Sequence, residues 1–417
     1  MNRTVLMIAF HVPPWAAGSG HLRTLGFARH LPAAGWQPVI LSARAGAYPI
    51  TAPVEDGIIP EGCPVYRVLA LDARRHLGIG GKYPAFLAQP DRWISWYPAA
   101  VIQGLRLIRR HRIAAIWSTY PIMTAHCIAR SLSRMSGLPW IADFRDPVAS
   151  SIEASNPYLA ASQRRWEGRV LRDAAQTVFT TESALEAYAR RYPGASEDNR
   201  LSVIANGYEE ALFEDLPARK GSKPIGPLTL LHSGVLYREG RDPVPFLTAL
   251  ARLKAKGVVD ARNLKVVLRA CGSYAMYTDE VLRLGVADLV KVAERVSNRE
   301  ALIEQAHADG LLLFQGEKYD RQIPAKVYEY LRIGRPVFAL VGEDGDTAAL
   351  LRKTGGAEQV ALDDIHAIEA RLEAFILALR AGSAARVSPD VAATYSRRAG
   401  AASLARLLDG VVSKTPA

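Results

Sequence analysis

The stretch Val5–Leu31, VLMIAFHVPPWAAGSGHLRTLGFARHL, divides into a strand, a loop and a helix. Its first six residues are a continuous apolar run, the signature of a strand covered on both faces. Leu22, Leu25, Ala28 and Leu31 then recur every third residue, which predicts an amphipathic helix starting near His21. Between the two lies a loop that ends in Gly18-Ser19-Gly20. A strand followed by a crossover helix implies a parallel sheet with helices on both faces. Six further strand candidates continue the series: Pro38–Ser42, Val65–Leu69, Ala114–Ser118, Trp140–Asp143, Thr177–Thr180 and Leu201–Ile204, with Ala125, Ile128, Ala129 and Leu132 marking another crossover helix. The pattern lapses between Asn206 and Pro227 into an acidic and then Lys-, Gly- and Pro-rich stretch, which reads as a linker. A second series follows at Leu228–His232, Leu264–Ala270, Leu289–Val292, Gly310–Phe314, Val337–Val341 and Gln359–Leu362. The expectation is an α/β protein of two doubly wound, Rossmann-like domains facing across a cleft. Their bounds are 1–205 and 228–390, with a linker at 206–227 and a terminal helix and tail at 391–417.

A chain of 417 residues is long enough for two such domains at about 150 residues each. Cys63, Cys127 and Cys271 lie far apart with no CxxC pair, which argues against a disulfide framework and a zinc site and fits a reducing compartment. Met1 leads directly into the first strand, so no secretion signal is expected, and no apolar run reaches the roughly 18 to 20 residues that span a bilayer. The formal net charge is +11, and residues 1–150 hold 16 Lys or Arg against 7 Asp or Glu. A basic first domain attracts nucleic acid, anionic lipid or an anionic substrate alike. No nucleic-acid reader module or aromatic-interleaved patch accompanies it. LRLIRRHRI at Leu105–Ile113 has the composition of a membrane-surface helix, but the commoner arrangement packs Leu105, Leu107 and Ile108 on the sheet with the arginines solvated.

In open α/β sheets ligands bind beyond the carboxyl ends of strands, so the chemistry is sought in the loops that follow them. Gly18 and Gly20 allow close backbone approach and leave the amides of the next helix facing an anion; with Arg23 they are candidate donor-binding residues. GxG without a third glycine, and without an acid closing the second strand, is not the dinucleotide fingerprint. Asp143-Phe144-Arg145-Asp146 places charges at a strand end, where Asp143 or Asp146 can orient an acceptor hydroxyl or form an internal Asp–Arg bridge. LLHSGVLYREGRDP sets Gly234 beside Arg238 and Arg241, a phosphate cradle in which Arg241 is the favoured cation. In QIPAKVYEYLRIGRP, Gln322–Pro336, Pro324 fits the first turn of a helix whose amides can meet a diphosphate. Val327, Tyr330 and Leu331 form its buried stripe, while Lys326 can neutralise phosphate and Glu329 can take both hydroxyls of a ribose. No P-loop, nucleophile elbow, HxH or HExxH occurs, and GEDGD at Gly342–Asp346 reads as an acidic turn, so no metal ligands are assigned.

With these residues in place the chain resembles the family 4 glycosyltransferases of the GT-B fold, especially the bacterial members that build cell-surface polysaccharide. The resemblance is carried by the Gly18–Gly20 loop, PDRWISWYPAAV at Pro90–Val101, PWIADFRDP at Pro139–Pro147, VIANGYE at Val203–Glu209, SGVLY at Ser233–Tyr237 and IPAKVYEYLRIGRPV at Ile323–Val337. It implies retaining, hexosyltransferase-like transfer from a nucleoside-diphosphate sugar, used as co-substrate without a further cofactor or bound metal. Glu329 resembles the family's ribose-binding glutamate, Lys326 and Arg241 its phosphate-binding cations, and Gly18 its loop beside the transferred sugar. Arg321 stands where the family often has a glutamate, and no histidine directly follows Ala114–Ser118, which leaves His126 as the nearest candidate. The expected acceptor is a saccharide or polyprenyl-linked saccharide, for exopolysaccharide, O-antigen or capsule assembly. The expected place is cytoplasmic, at the inner face of the cell membrane, as a peripheral protein. The alternatives are a GT-B nucleotide-sugar 2-epimerase and a catalytically degenerate GT-B partner protein.

Overall fold

The computed structural model describes residues 3–54, 56–78, 80, 82–145, 157–195, 200–216 and 226–414. Two compact units divide the chain, one of Met1–Asn206 with Arg397–Ala417 and the other of Gly207–Ser396.

The first unit holds a seven-stranded parallel sheet of β1 (Arg3–Ile8), β2 (Trp36–Ala43), β3 (Val65–Val68), β4 (Ile113–Thr119), β5 (Trp140–Phe144), β6 (Gln176–Phe179) and β7 (Leu201–Val203), in the order β3-β2-β1-β4-β5-β6-β7. Val5 pairs with Pro38 on one side and Ala115 on the other, so β1 lies centrally and is buried along most of its length. One sheet face packs against the helices Trp96–Arg110 and Met123–Ser136. Those helices meet where a Cβ on Gly104 would stand 2.4 Å from a methyl of Leu132, an approach only glycine permits. Leu107 is buried in this layer, Leu105 and Ile108 are partly buried against it, and Arg106, Arg109 and Arg110 are exposed.

The other face carries the helices Leu22–His30 and Arg397–Ser413. In the latter, Ala401, Leu404, Ala405, Leu408 and Val411 recur at helical spacing, are buried, and share a core with Leu25, Ala28, Leu31 and Trp36. Trp36 Nε1 donates to Asp409 Oδ1 at 3.1 Å, and Arg3 pairs with the same carboxylate at 3.0 Å. The last helix of the chain is thus part of the core that the first strand begins.

The second unit holds a six-stranded parallel sheet of β8 (Leu228–Ser233), β9 (Leu264–Arg269), β10 (Val290–Ala293), β11 (Gly310–Gln315), β12 (Val337–Val341) and β13 (Ala357–Val360), ordered β10-β9-β8-β11-β12-β13. Both sheets therefore reverse winding direction beside their first strand, between β1 and β4 and between β8 and β11, the crevice position where such sheets bind ligands. Every strand expected from the apolar runs is present. The last is displaced from Gln359–Leu362 to Ala357–Val360, because this edge strand is half-buried and its side chains carry little apolar signal. Among the described residues no helix is long and apolar enough to cross a membrane.

Truncating Leu408 to Ala leaves a hole between the last helix and the first sheet and is expected to cost about 2–5 kcal/mol. Denaturant unfolding followed by hydrogen exchange should locate the loss in the first unit, with amides of the second unit unchanged.

Candidate functional site

In the second unit the chain leaves β8 through Gly234, whose φ of +132° places it in backbone space that favours glycine. A Cβ there would lie 2.5 Å from Nζ of Lys326, so the missing side chain lets an ammonium rest against the backbone. Lys326 is the second residue of the helix Ala325–Ile333, which begins from an extended Pro324 with no side chain capping its first turn. Pro324 therefore stands one place before the first turn expected to hold it. Val327, Tyr328, Tyr330 and Leu331 bury one face of the helix, and Gly334 ends it at φ +67°. Lys326 makes no ion pair among the described residues; its Nζ lies 3.4 Å from Nε2 of His232, at the end of β8. Burial, reinforced by Arg241 and opposed by Glu329, lowers the lysine pKa to about 7.

Arg241 closes the loop after β8. Its amide donates to Tyr237 O at 3.1 Å, and its guanidinium lies 5.2 Å from the ring of Tyr237 and 5.3 Å from that of Tyr319. Gly240 admits the second ring, since a Cβ on it would meet Tyr319 at 2.9 Å. The rings hold the cation by its faces and leave its edges free for acceptors. Nε of Arg241 is buried without a hydrogen-bond partner among the described residues, and so is able to take an acceptor. Arg238, by contrast, is exposed and pairs with Glu280 at 2.9 Å. Gln315, the last residue of β11, fixes the loop that carries Tyr319 by donating from Nε2 to Tyr319 O and Gln322 O, both at 2.7 Å. Two cations that raise each other's energy, placed beside a helix start, form a site that an anion stabilises.

In the first unit His11 follows β1 and stacks on Trp15 with ring centroids 4.0 Å apart. A Cβ on Gly20 would stand 2.6 Å from His11 Nδ1 and 3.1 Å from an Arg145 amino group, so this glycine makes room for both. Arg145 donates to the Gly20 carbonyl. Its own carbonyl accepts from Thr180 Oγ1 at 3.0 Å. Burial, with help from Arg145 and His21, brings the His11 pKa down to about 3, so the imidazole is neutral at physiological pH. Gly18 starts the short turn Ser19–His21 at φ +134°, with open space where a side chain would be.

Residues 19–207 match the family model described as the glycosyl transferase 4-like domain. Over this span the chain carries a glycosyl transferase 4-like domain, and it is a glycosyltransferase. Its fold is GT-B, shared at low identity with solved structures. Sucrose-phosphate synthase from Thermosynechococcus elongatus superposes with a TM-score of 0.64 at 15% identity, covering 99% of each chain. Anabaena Alr3699/HepE in complex with UDP-glucose gives 0.58 at 14%, covering 98% of this chain and 99% of that one. The lipopolysaccharide outer core galactosyltransferase WaaB gives 0.60 at 13%, covering 97% and 99%. No curated protein matches the sequence.

Three residues of this glycosyltransferase that sequence reading offered for catalysis or donor binding are engaged elsewhere. Asp143 is fully buried and accepts from Arg23 Nε at 3.0 Å, from an Arg23 amino group at 2.8 Å and from Thr119 Oγ1 at 2.9 Å. The remaining Arg23 donors reach Ile204 O, Ala205 O and the Asn206 side chain at 2.9 to 3.2 Å. Arg23 is thus a structural clamp on the end of β5 and the chain after β7, and Asp143 is its counter-ion. The Asp–Arg bridge that forms here is not internal to the loop: the cation of Asp143 is Arg23, 120 residues earlier in the chain. His126 is likewise a core residue: it has no exposed surface, bonds Ser118 Oγ through Nδ1 at 2.7 Å, packs on Phe144, and has its pKa lowered to about 3 by burial. Asp146 lies outside the described residues. Sequence reading missed His11, His232, Tyr237 and Tyr319. The signal for His232 was a polar residue closing the apolar run LTLLH beside Gly234. The aromatic clamp joins residues 82 positions apart, which no local pattern reveals.

Removing one partner of a buried ion pair leaves an uncompensated charge, so Asp143→Ala is expected to lose about 3–5 kcal/mol of stability. Adding Arg23→Met should restore part of it. Equilibrium unfolding of the three variants tests this, and wild-type stability with abolished turnover in Asp143→Ala would return the aspartate to catalysis.

Proposed function

We propose that the protein transfers a sugar, with retention of anomeric configuration, from a nucleoside-diphosphate donor to a hydroxyl of a saccharide or polyprenyl-linked acceptor during assembly of a cell-surface polysaccharide. The observation that carries the donor half of this reading is the pair Lys326 and Arg241. Neither makes an ion pair among the described residues, and both stand at the end of β8 beside the start of Ala325–Ile333. Negative charge builds on the departing diphosphate as the glycosidic bond breaks, and cations held in place beforehand stabilise it without reorganising. Glu329, one turn along the helix from Lys326, takes the ribose hydroxyls. The acceptor hydroxyl attacks from the face that the diphosphate leaves. HepE, crystallised with UDP-glucose, supports a uridine nucleotide as the first donor to try.

The polysaccharide context is supported by the likeness to WaaB and by the basic first unit. Exposed Arg106, Arg109 and Arg110, with exposed Ile102 on the same helix, offer a surface for an anionic bilayer at its cytoplasmic face.

Lys326→Ala and Glu329→Ala are each expected to weaken donor binding and lower kcat/KM at least about tenfold, a loss of roughly 1.4 kcal/mol in transition-state stabilisation. Turnover of a nucleotide-sugar panel, with mass detection of the released nucleotide, measures this; full activity in both variants would sink the reading. Conversion of the sugar without any acceptor would indicate epimerisation instead.

Donor affinity should also depend on pH. The charged lysine is the binding form, so affinity is greatest below about 7 and declines as pH rises through that value in the free protein. Binding of the anion raises the lysine pKa, so binding above neutrality should take up a proton, visible as a buffer-dependent heat in calorimetry.

A further inference from the structure

The imidazole at the end of β8 has no part in the donor contacts assigned so far. We propose that His232 is a positioning residue: its Nε2 accepts a hydrogen bond from the Lys326 ammonium and holds it over the Gly234 backbone, where the diphosphate is taken. The proposal rests on the reading of Lys326 as a diphosphate ligand.

His232 has no exposed surface. Nδ1 lies 3.0 Å from Leu312 O on β11, while Nε2 lies 3.0 Å from Gly234 O and 3.4 Å from Lys326 Nζ. Burial, together with the Lys326 and Arg241 charges, keeps the imidazole pKa well below its ordinary value, so the ring is neutral and carries one N–H. With the proton on Nε2, that atom would serve Gly234 O, and the Nδ1 lone pair would face Leu312 O with nothing between them. With the proton on Nδ1, Leu312 O is satisfied and the Nε2 lone pair faces the ammonium. Lys326 already lies against Gly234, so in the second arrangement its ammonium, 3.4 Å away, donates to Nε2 and offsets the 3.0 Å approach of that lone pair to Gly234 O. The ring plane is fixed by Phe314, edge to face at 5.1 Å.

The choice of imidazole has a physical reason. A carboxylate at this point would orient the lysine but neutralise it, and would compete with the incoming phosphate. A neutral imidazole orients the ammonium and leaves its charge for the ligand. The charged and titratable groups facing Lys326 are His232 and Arg241 from β8 and its loop, and Glu329 from its own helix. Tyr330, one turn beyond Lys326, directs its hydroxyl to Leu312 O as well, at 3.4 Å. One carbonyl of β11 thus registers both the histidine and the helix that bears the lysine.

The test measures the affinity of the tightest binder among UDP, GDP, ADP and dTDP from pH 6 to 9, for the unaltered protein and for Lys326→Ala, His232→Phe and His232→Gln, each shown to be folded by its melting curve. His232→Phe keeps the ring volume and loses the acceptor. It should bind about tenfold more weakly at pH 6, the scale of a hydrogen bond to a charged group, and its pH inflection should move upward as the amine leaves its buried seat. His232→Gln, whose amide oxygen can stand near the Nε2 position, should keep most of the affinity. Wild-type affinity and inflection in His232→Phe would overturn the proposal, as would equal losses in the Phe and Gln variants. Unchanged binding in Lys326→Ala would instead overturn the donor reading itself, whereas loss there with none in His232→Phe removes only the histidine's role. If His232→Phe does not fold, nitrogen NMR of the histidine-labelled wild type decides. The Nδ1–H tautomer supports the proposal, and an Nε2–H tautomer contradicts it.

Discussion

Lys326 brings its ammonium against the backbone of Gly234 and makes no ion pair among the described residues. Charge placed in this way raises the energy of the empty protein, and the surrounding structure must be rigid enough to keep the lysine from swinging out to water. Much of the second unit serves that requirement. Gly234 adopts a backbone conformation that other residues resist, Gly334 closes the helix that carries the lysine, and the buried stripe from Val327 to Leu331 presses that helix onto the sheet. Arg241 is held in the same spirit by two tyrosine rings, and the loop that carries one of them, Tyr319, is tied down by Gln315. On the proposed function, the cost of assembling two cations is recovered when an anion enters, so affinity and preorganisation have one origin.

The first unit solves a different problem with similar materials. Arg23 and Asp143 are both buried, yet they satisfy each other, and the leftover donors of the arginine are taken up by backbone carbonyls. A charge pair so completely paired binds nothing further. It fixes the start of the helix after β1 to the end of β5, and so sets the floor on which Gly18, Gly20, His11 and Arg145 are arranged. Whether a buried charge belongs to a binding site or to the scaffold depends on whether its hydrogen-bonding capacity is already filled.

That distinction explains how much of the molecule could be read from its sequence. Nearly all of the strands were legible because each is a short apolar run bounded by loops, whereas the edge strand Ala357–Val360, with little apolar signal, was expected two residues too late. Gly234, Arg241 and Lys326 were legible as residue types at strand and helix ends. Asp143, Arg23 and His126 were misassigned for the converse reason. A polar residue near a strand end resembles a functional group until its partners are known, and Arg23 meets Asp143 across 120 residues of sequence. The aromatic clamp around Arg241 and the imidazole beside Lys326 are likewise products of tertiary packing, invisible to spacing rules.

The helix Arg397–Ser413 completes the core of the first unit although the entire second unit precedes it in the chain. On the ribosome, then, the second unit's residues all emerge while the first sheet still shows the apolar face that Leu404 and Leu408 will cover. The first unit, although its synthesis begins first, can complete its core only after the second unit's residues have been made. Nascent chains that stop before residue 397 would display this uncovered face to chaperones and proteases, giving the cell a direct chemical mark of incomplete synthesis.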